Sequence, residues 1–127
     1  MKIYCMKSNV LIIEDDPIIA EMISMILEEQ DINVISLGDT AWAREKLDNE
    51  AVDLVLLDIK LTGEGGRSMC RYIKGHSRLK HIPVIFVSGN ENIARIKEAC
   101  GADDFIKKPF DIDHIVEKVT KYTRAVA

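Results

Sequence analysis

Six side chains of this sequence could do chemistry together if the fold brought them to one place. Glu14, Asp15 and Asp16 end one apolar run, Asp58 ends another, Ser88 ends a third, and Lys108 precedes a proline. Carboxylates at close range repel: at ~4 Å a like pair costs on the order of 4 kcal/mol with an effective dielectric of 20. A fold does not gather them for stability. A raised pKa on one of them, or a bound cation, relieves the strain. Hard oxygen ligands with positions left open for water and phosphate suit Mg²⁺. Lys108 adds a point charge suited to an anion, and Ser88 a hydroxyl donor. A carboxylate, a divalent metal, a hydroxyl and a lysine are the parts needed to move a phosphoryl group onto the carboxylate. Each motif alone has a plainer reading. Asp58 could be a turn former or helix cap, Glu14-Asp15-Asp16 a strand end and cap, Ser88-Gly89-Asn90 a turn, and Lys107-Lys108-Pro109 a solvated loop. Those readings leave unexplained why all four fall at the ends of strand-like runs.

The elements between these residues follow from apolar patterning. Leu54-Val55-Leu56-Leu57, ending in Asp58, reads as a strand buried on both faces, as in a parallel sheet. Val10-Leu11-Ile12-Ile13 is a second such run. Asp16 before Pro17 predicts a helix start, with Ile18, Ile19, Met22, Ile23, Ile26 and Leu27 on one face and Glu21, Glu28 and Glu29 outside. Asn33 to Ser36 is a short peripheral strand, and Asp39 is expected to cap a helix carrying Ala41, Trp42, Ala43 and Leu47. A glycine-rich loop at Thr62 to Gly66 leads to a helix near Arg67–Lys74. Ile82 to Val87 is a strand, followed by a helix from Asn92 to Cys100 that Gly101 stops. Asp104 to Lys107 is a last short strand, and Asp111 caps a helix facing inward with Ile112, Ile115, Val116, Val119 and Tyr122. Strand and helix alternate five times, which implies parallel strands joined by helical crossovers. All the strand C-termini then share one edge, where ligands bind in such folds.

Composition narrows the function classes. A chain of 127 residues holds one domain, and 47% hydrophobic with 30% charged residues is a globular balance. A net charge of −4 argues against a nucleic-acid-binding surface over the whole domain. Cys5, Cys70 and Cys100 form no Cys-x-x-Cys, so reduced thiols and a cytoplasmic location are expected. No apolar run approaches the ~20 residues of a membrane span. Residues 1–8 read as an N-terminal arm, 9–123 as the folded domain and 124–127 as a tail.

Taken together, the motifs resemble the receiver domains of two-component response regulators. The resemblance covers Asn9 to Tyr122. It rests on Ile13-Glu14-Asp15-Asp16-Pro17, Leu57-Asp58, Gly66, Pro83 to Gly89, Gly101-Ala102-Asp103-Asp104-Phe105 and Lys108-Pro109-Phe110. It implies a flavodoxin-like doubly wound sheet of strand order 2-1-3-4-5. It also implies Asp58 as phosphoacceptor and Asp15 as a direct Mg²⁺ ligand. Glu14 would hold the metal through water and Lys60 through its backbone carbonyl. Ser88 would be the switch hydroxyl and Phe105 the switch aromatic. Lys108 would pair with phosphate or with Asp58, next to a cis Lys108–Pro109 bond, and Lys60 and Asn90 would tune hydrolysis. Asp16 is expected to cap the helix and not to ligate. The partner implied is a histidine kinase or histidine phosphotransfer protein, with an unidentified output protein and a phosphorylation-dependent dimer as a further expectation. The domain itself would touch neither DNA nor membrane. It would catalyse its own phosphorylation and dephosphorylation without being a metabolic enzyme.

Thr62, Gly89 and Phe105 depart from the family's commoner proline, alanine and tyrosine. Three rival readings remain. A flavin-binding electron carrier on the same fold would need a hydroxyl- and glycine-rich loop where Glu14 to Pro17 stands. An aspartate-nucleophile phosphohydrolase would want a carboxylate where Lys60 stands. A degenerate receiver, acting only as an interaction module, would have no use for intact Asp15, Asp58, Ser88 and Lys108. A stand-alone receiver is expected in preference to one cut from a longer regulator.

Overall fold

The computed structural model describes residues 7–60 and 65–123. Cys5 and most of the expected arm, Thr62 with the rest of residues 61–64, and the 124–127 tail lie outside the described residues. Strands and helices alternate: β1 (Asn9–Ile13), α1 (Pro17–Glu29), β2 (Asn33–Leu37), α2 (Ala43–Asn49), β3 (Leu54–Asp58), α3 (Gly66–Gly75), β4 (Val84–Ser88), α4 (Ile93–Cys100), β5 (Asp104–Lys107) and α5 (Ile112–Thr123). The strands form one parallel sheet in the order β2-β1-β3-β4-β5. This is the flavodoxin-like arrangement implied by the sequence, with β3 at its centre.

Strand alternation sorts the apolar residues into two cores. Leu11, Ile13, Val55, Leu57, Val84 and Phe86 face α2, α3 and α4. Val10, Ile12, Leu54, Leu56, Ile85, Val87 and Ile106 face α1 and α5. The buried stretches Val10–Ile13, Leu54–Leu57 and Val84–Val87 of the inner strands are therefore apolar throughout. In β3 and β4 polarity returns where the strand leaves the layers, at Asp58 and Ser88, their last residues.

Local chemistry sets the helix ends. Asp16 Oδ1 accepts from the Ile18 and Ile19 amides at 2.9 and 3.4 Å, and Pro17 stands at the first helical position. Asp111 Oδ1 accepts from the His114 amide at 2.8 Å, capping α5 in the same way. Gly101 ends α4 in the left-handed conformation at φ +77°.

Four expectations are corrected. Asp39 does not cap α2. Its Oδ1 accepts from the Ala41 amide at 2.9 Å, which closes a tight turn before the helix, and α2 starts only at Ala43. Trp42, expected within that helix, instead precedes it and is 63% exposed. On α1, Ala20, Ile23, Ile26 and Leu27 are buried, while Ile18 is 77% exposed and Met22 44%. Ile18, Met22 and Met25 recur at helical spacing as a second apolar stripe that points outward. Periodicity merged this stripe with the buried one. Ile112 belongs to the same outer patch, at 61% exposure, while Ile115 and Val119 fill the α5 side of the core.

Asp16→Ala should destabilise the fold by about 1 kcal/mol through loss of the α1 cap. Urea unfolding measures this directly. An unchanged midpoint would mean that Pro17 alone defines the helix start.

Candidate functional site

The site lies at the C-terminal edge of the sheet, in a pocket of about 500 Å³ whose lining includes Glu14, Asp15, Asp58, Ser88 and Lys108. Each side chain arrives by the same device, a strand that ends. The Glu14 amide donates to the Leu37 carbonyl at 3.0 Å, holding the chain beside β2 one residue past β1. Glu14 is in consequence only 3% exposed. The chain then turns, and Asp15 is exposed at the pocket while Asp16 turns its carboxylate to the α1 amides. Asp58, 7% exposed, ends the central strand, and its Oδ1 accepts from the Lys60 amide at 3.1 Å. Ser88 is buried at the end of β4, and its Oγ accepts from the Asn90 amide at 3.1 Å. The Lys108 amide donates to the Ser88 carbonyl at 2.9 Å, which fixes the lysine's backbone beside β4. The Lys108–Pro109 bond is cis, as the resemblance implied.

The carboxylates converge. One oxygen from each of Glu14, Asp15 and Asp58 lies within 4.8 Å of the others. At that range each like pair costs roughly 3–4 kcal/mol with an effective dielectric of 20. The ammonium of Lys108 offsets part of this, and it does so unevenly. Nζ is 2.7 Å from Glu14 Oε1 and 4.0 Å from Asp58 Oδ2. The nearest partner of Lys108 is thus Glu14 and not Asp58. The Glu14 carboxyl is pushed up to about 7, by burial first and then by the hydrogen bond and charge of Asp58. The Lys108 contact pulls it down without overcoming these. Such a donor set, all oxygen, partly exposed through Asp15 and short of positive charge, fits a hard divalent cation of the Mg²⁺ kind.

Gly66 is a positioning residue that motif reading did not single out for a reason of its own. A Cβ there would collide with the Asp58 carbonyl oxygen and would stand 2.8 Å from the Ile59 Cα. Only glycine lets the start of α3 press against the backbone of the Asp58 segment. The Gly66 amide donates to the Ile59 carbonyl at 3.2 Å across that contact. A close backbone approach of this kind leaves no trace in the sequence beyond the glycine itself.

Lys60 and Asn90 both line the pocket. Phe105 stands apart from it. Half-buried on β5, it packs with the cluster that contains Ile93 and Ile96 of α4, on the face opposite Ile106.

The family model described as the response regulator receiver domain matches residues 10–120, nearly the whole chain. The chain belongs to the receiver family of two-component response regulators. Among relatives of this receiver, the transcriptional regulatory protein AruR of Pseudomonas aeruginosa is 33% identical, with 95% of this chain and 51% of AruR covered. The transcriptional regulatory protein GltR of the same species is 31% identical, with 91% of this chain and 49% of GltR covered. The chain therefore spans about half the length of these relatives. The receiver domain of the sensor histidine kinase PA1611 from Pseudomonas aeruginosa superposes with a TM-score of 0.85 at 20% identity, covering 94% of this chain and all of that one. That structure holds a magnesium ion coordinated in its active site cleft. At this identity the likeness speaks for the fold alone. No helix among the described residues is long and apolar enough to cross a membrane.

The raised Glu14 carboxyl has a pH consequence. Its folded value of about 7 lies above the ordinary value of 4.5, so between the two the folded state binds a proton that the unfolded state does not. Stability from this group is therefore present at low pH and lost as pH rises through that window. Mg²⁺ bound at the same cluster would compete with the proton. The rise in melting temperature on adding Mg²⁺ should then be larger near about pH 8 than near about pH 6. Thermal melts at both pH values test it, and an equal or reversed gain would contradict it.

Proposed function

We propose that this receiver takes a phosphoryl group on Asp58 and passes the signal on as a change in protein binding. The observation that carries the reading is the setting of Asp58. It ends the central strand, nearly buried, with one oxygen held by the Lys60 amide and the other 4.0 Å from the Lys108 ammonium. A histidine kinase or a histidine phosphotransfer protein would present phosphohistidine. A carboxylate oxygen of Asp58 attacks phosphorus, a P–O bond forms, the P–N bond breaks, and the imidazole leaves with the electron pair. Mg²⁺ would be held by Asp15 and Asp58 directly, by the Lys60 backbone carbonyl, and by Glu14 through water. When bound, it supplies charge neutralisation for the transferring group. Lys108 would pair with the phosphoryl oxygens, and Ser88 would give up its Asn90 contact to donate its hydroxyl to them.

The donor protein has to reach this pocket. Ile18, Met22 and Met25 of α1 and Ile112 of α5 line an exposed apolar groove, and Ile19 of the same helix lines the acceptor pocket. This continuity supports docking of the phosphodonor on the α1–α5 side. The domain's output would be a protein contact, with no direct hold on DNA or membrane. A flavin phosphate would meet Glu14 and Asp15 where it needs donors, which leaves the electron-carrier reading without support.

Incubation with acetyl phosphate and Mg²⁺ should add one phosphoryl mass to the wild type and none to Asp58→Asn, by intact-mass measurement. A labelled Asp58→Asn protein would sink the assignment. In the same experiment, replacing Lys60 and Asn90 by alanine should alter the decay of the label, since both side chains border the pocket where water attacks.

Phe105 would act as the switch aromatic. It carries no hydroxyl, so its positions differ mainly in buried apolar area, at roughly 25 cal/mol per Å². Its ring resonances should shift when beryllofluoride and Mg²⁺ are added. Unmoved ring signals would rule out its coupling to the acceptor.

A further inference from the structure

Acidic side chains vanish from one long stretch of this chain. Asp and Glu outnumber Lys and Arg by 21 to 17, yet none occurs between Glu64 and Glu91, where Arg67, Arg71, Lys74, Arg78 and Lys80 stand. The rest of the chain therefore carries a larger negative balance than the net −4. Helical spacing gathers the cations. Met69, Cys70 and Ile73 of α3 are buried in the core, and Arg67, Arg71 and Lys74 recur at helical spacing along one side of the outer face. Lys80 joins their C-terminal end, since the Lys74 ammonium donates to the Lys80 carbonyl at 3.3 Å. Two of the cations are engaged. Lys74 Nζ is 2.6 Å from Asp103 Oδ2, and Arg78 Nη2 is 3.1 Å from Asp48 Oδ1. Arg67, Arg71 and Lys80 are exposed, and none of the three has an ion-pair partner among the described residues. A solvated helix face ordinarily interleaves both signs, so that neighbours offset one another. On α3 there is no acid to do so.

We propose that the stripe of Arg67 and Arg71 on α3, ending at Lys80, is a docking surface for an acidic polypeptide segment whose Asp and Glu side chains pair with the two arginines. The proposal rests on the reading of this domain's output as a protein contact and names the chemistry of the partner. One turn of helix sets the two arginines on the same side, about 6 Å apart along the axis. Each guanidinium is a planar fork that takes a carboxylate through two parallel hydrogen bonds. A short acidic segment covers this stripe and little else. A nucleic acid or an anionic membrane is more extended. It would also meet the acids that flank α3, Asp48 and Asp103, on a domain whose charge is otherwise negative. The position suits an output surface. α3 packs on the face of the sheet shared with α2 and α4, opposite α1 and α5, so a partner here leaves the groove of Ile18, Met22 and Met25 open. At the start of α3, Gly66 rests on the Asp58–Ile59 backbone, so the partner would sit on the helix that touches the acceptor segment.

Binding of a short dye-labelled poly-L-glutamate peptide to the whole chain, read by fluorescence anisotropy at low and at physiological salt, tests the surface. Wild type should bind it, more weakly as salt rises. The double variant Arg67→Gln/Arg71→Gln should bind about tenfold more weakly, the size expected of two exposed arginine–carboxylate pairs of good geometry. Lys7→Gln/Lys121→Gln removes the same charge from exposed lysines elsewhere and should bind as wild type does. Both double variants should still gain one phosphoryl mass from acetyl phosphate and Mg²⁺, since none of the four residues lines the acceptor pocket. Equal weakening in the two double variants would reduce the effect to net charge and overturn the stripe. A wild type that takes up phosphoryl but does not bind the peptide overturns the stripe and leaves the acceptor standing. A wild type that binds the peptide through Arg67 and Arg71 but takes up no phosphoryl supports the stripe and fails the acceptor alone. Tighter binding of a DNA or RNA oligonucleotide, or of phosphatidylserine vesicles, through the same arginines overturns the acidic polypeptide in favour of a phosphate-bearing partner.

Discussion

The structure depends on a repulsion held in place by a sheet. Glu14, Asp15 and Asp58 would separate if their backbones could move, and at the edge of a five-stranded parallel sheet they cannot. Each strand is tied to its neighbours by a full hydrogen-bond ladder and by two apolar cores. The cost of crowding, a few kcal/mol, is small against the burial of residues such as Leu56, Leu57 and Phe86, each of which would cost about 2–5 kcal/mol to truncate. The core is therefore what makes a strained, charge-hungry site affordable, and the site in turn explains why β3 and β4 turn polar only at this edge.

The rest of the edge is arranged around the same imbalance. Lys108 is the cation that partly offsets it, and its backbone is anchored to the end of β4 by the hydrogen bond to the Ser88 carbonyl. Asp16 is withdrawn from the cluster by its duty at the start of α1, which keeps a fourth carboxylate from adding to the repulsion. Gly66 presses α3 against the Asp58–Ile59 backbone and leaves the acceptor segment little freedom to back away. Away from the edge, Asp104 ties β5 to α5 through Lys118 Nζ at 2.9 Å and the Tyr122 hydroxyl at 3.1 Å. Burial works against the ionised Asp104 carboxyl, yet these contacts hold it below the usual carboxylate range. That clasp sits directly before Phe105 and anchors the strand on which the aromatic rides.

Membership in the receiver family and the spatial convergence of the carboxylates, hydroxyl and lysine rest on different grounds. The first follows from similarity along residues 10–120. The second follows from geometry, and it adds details that similarity does not carry, such as the preference of Lys108 for Glu14. Relatives about twice as long as this chain are named as transcriptional regulators, and their receivers are halves of larger proteins. What this chain does with a phosphoryl group is accordingly a question about its surfaces. Ile18, Met22 and Met25 form one such surface, an apolar stripe that faces outward on α1.

Much of this was legible in the amino-acid sequence. Fully apolar four-residue runs mark strands buried on both faces, because only a sheet covered on two sides tolerates them. Alternation with helices then dictates parallel order and gathers the strand ends, so Glu14, Asp15, Asp58, Ser88 and Lys108 could be assembled before any coordinates. The caps at Asp16 and Asp111 and the stop at Gly101 are local, and local chemistry decides them. Tertiary structure decided the rest. Asp39 has the composition of a cap but bonds into a preceding turn, since both uses satisfy the same carboxylate. Ile18, Met22 and Ile112 fit a buried helical face by period, yet the sheet covers only one stripe of each helix and these fall outside it. The choice of Lys108 between two carboxylates turns on a difference of 1.3 Å, from 4.0 to 2.7, set by how far a glutamate reaches across two strand ends. Periodicity records which residues can be inside; only packing in three dimensions determines which neighbour each one meets.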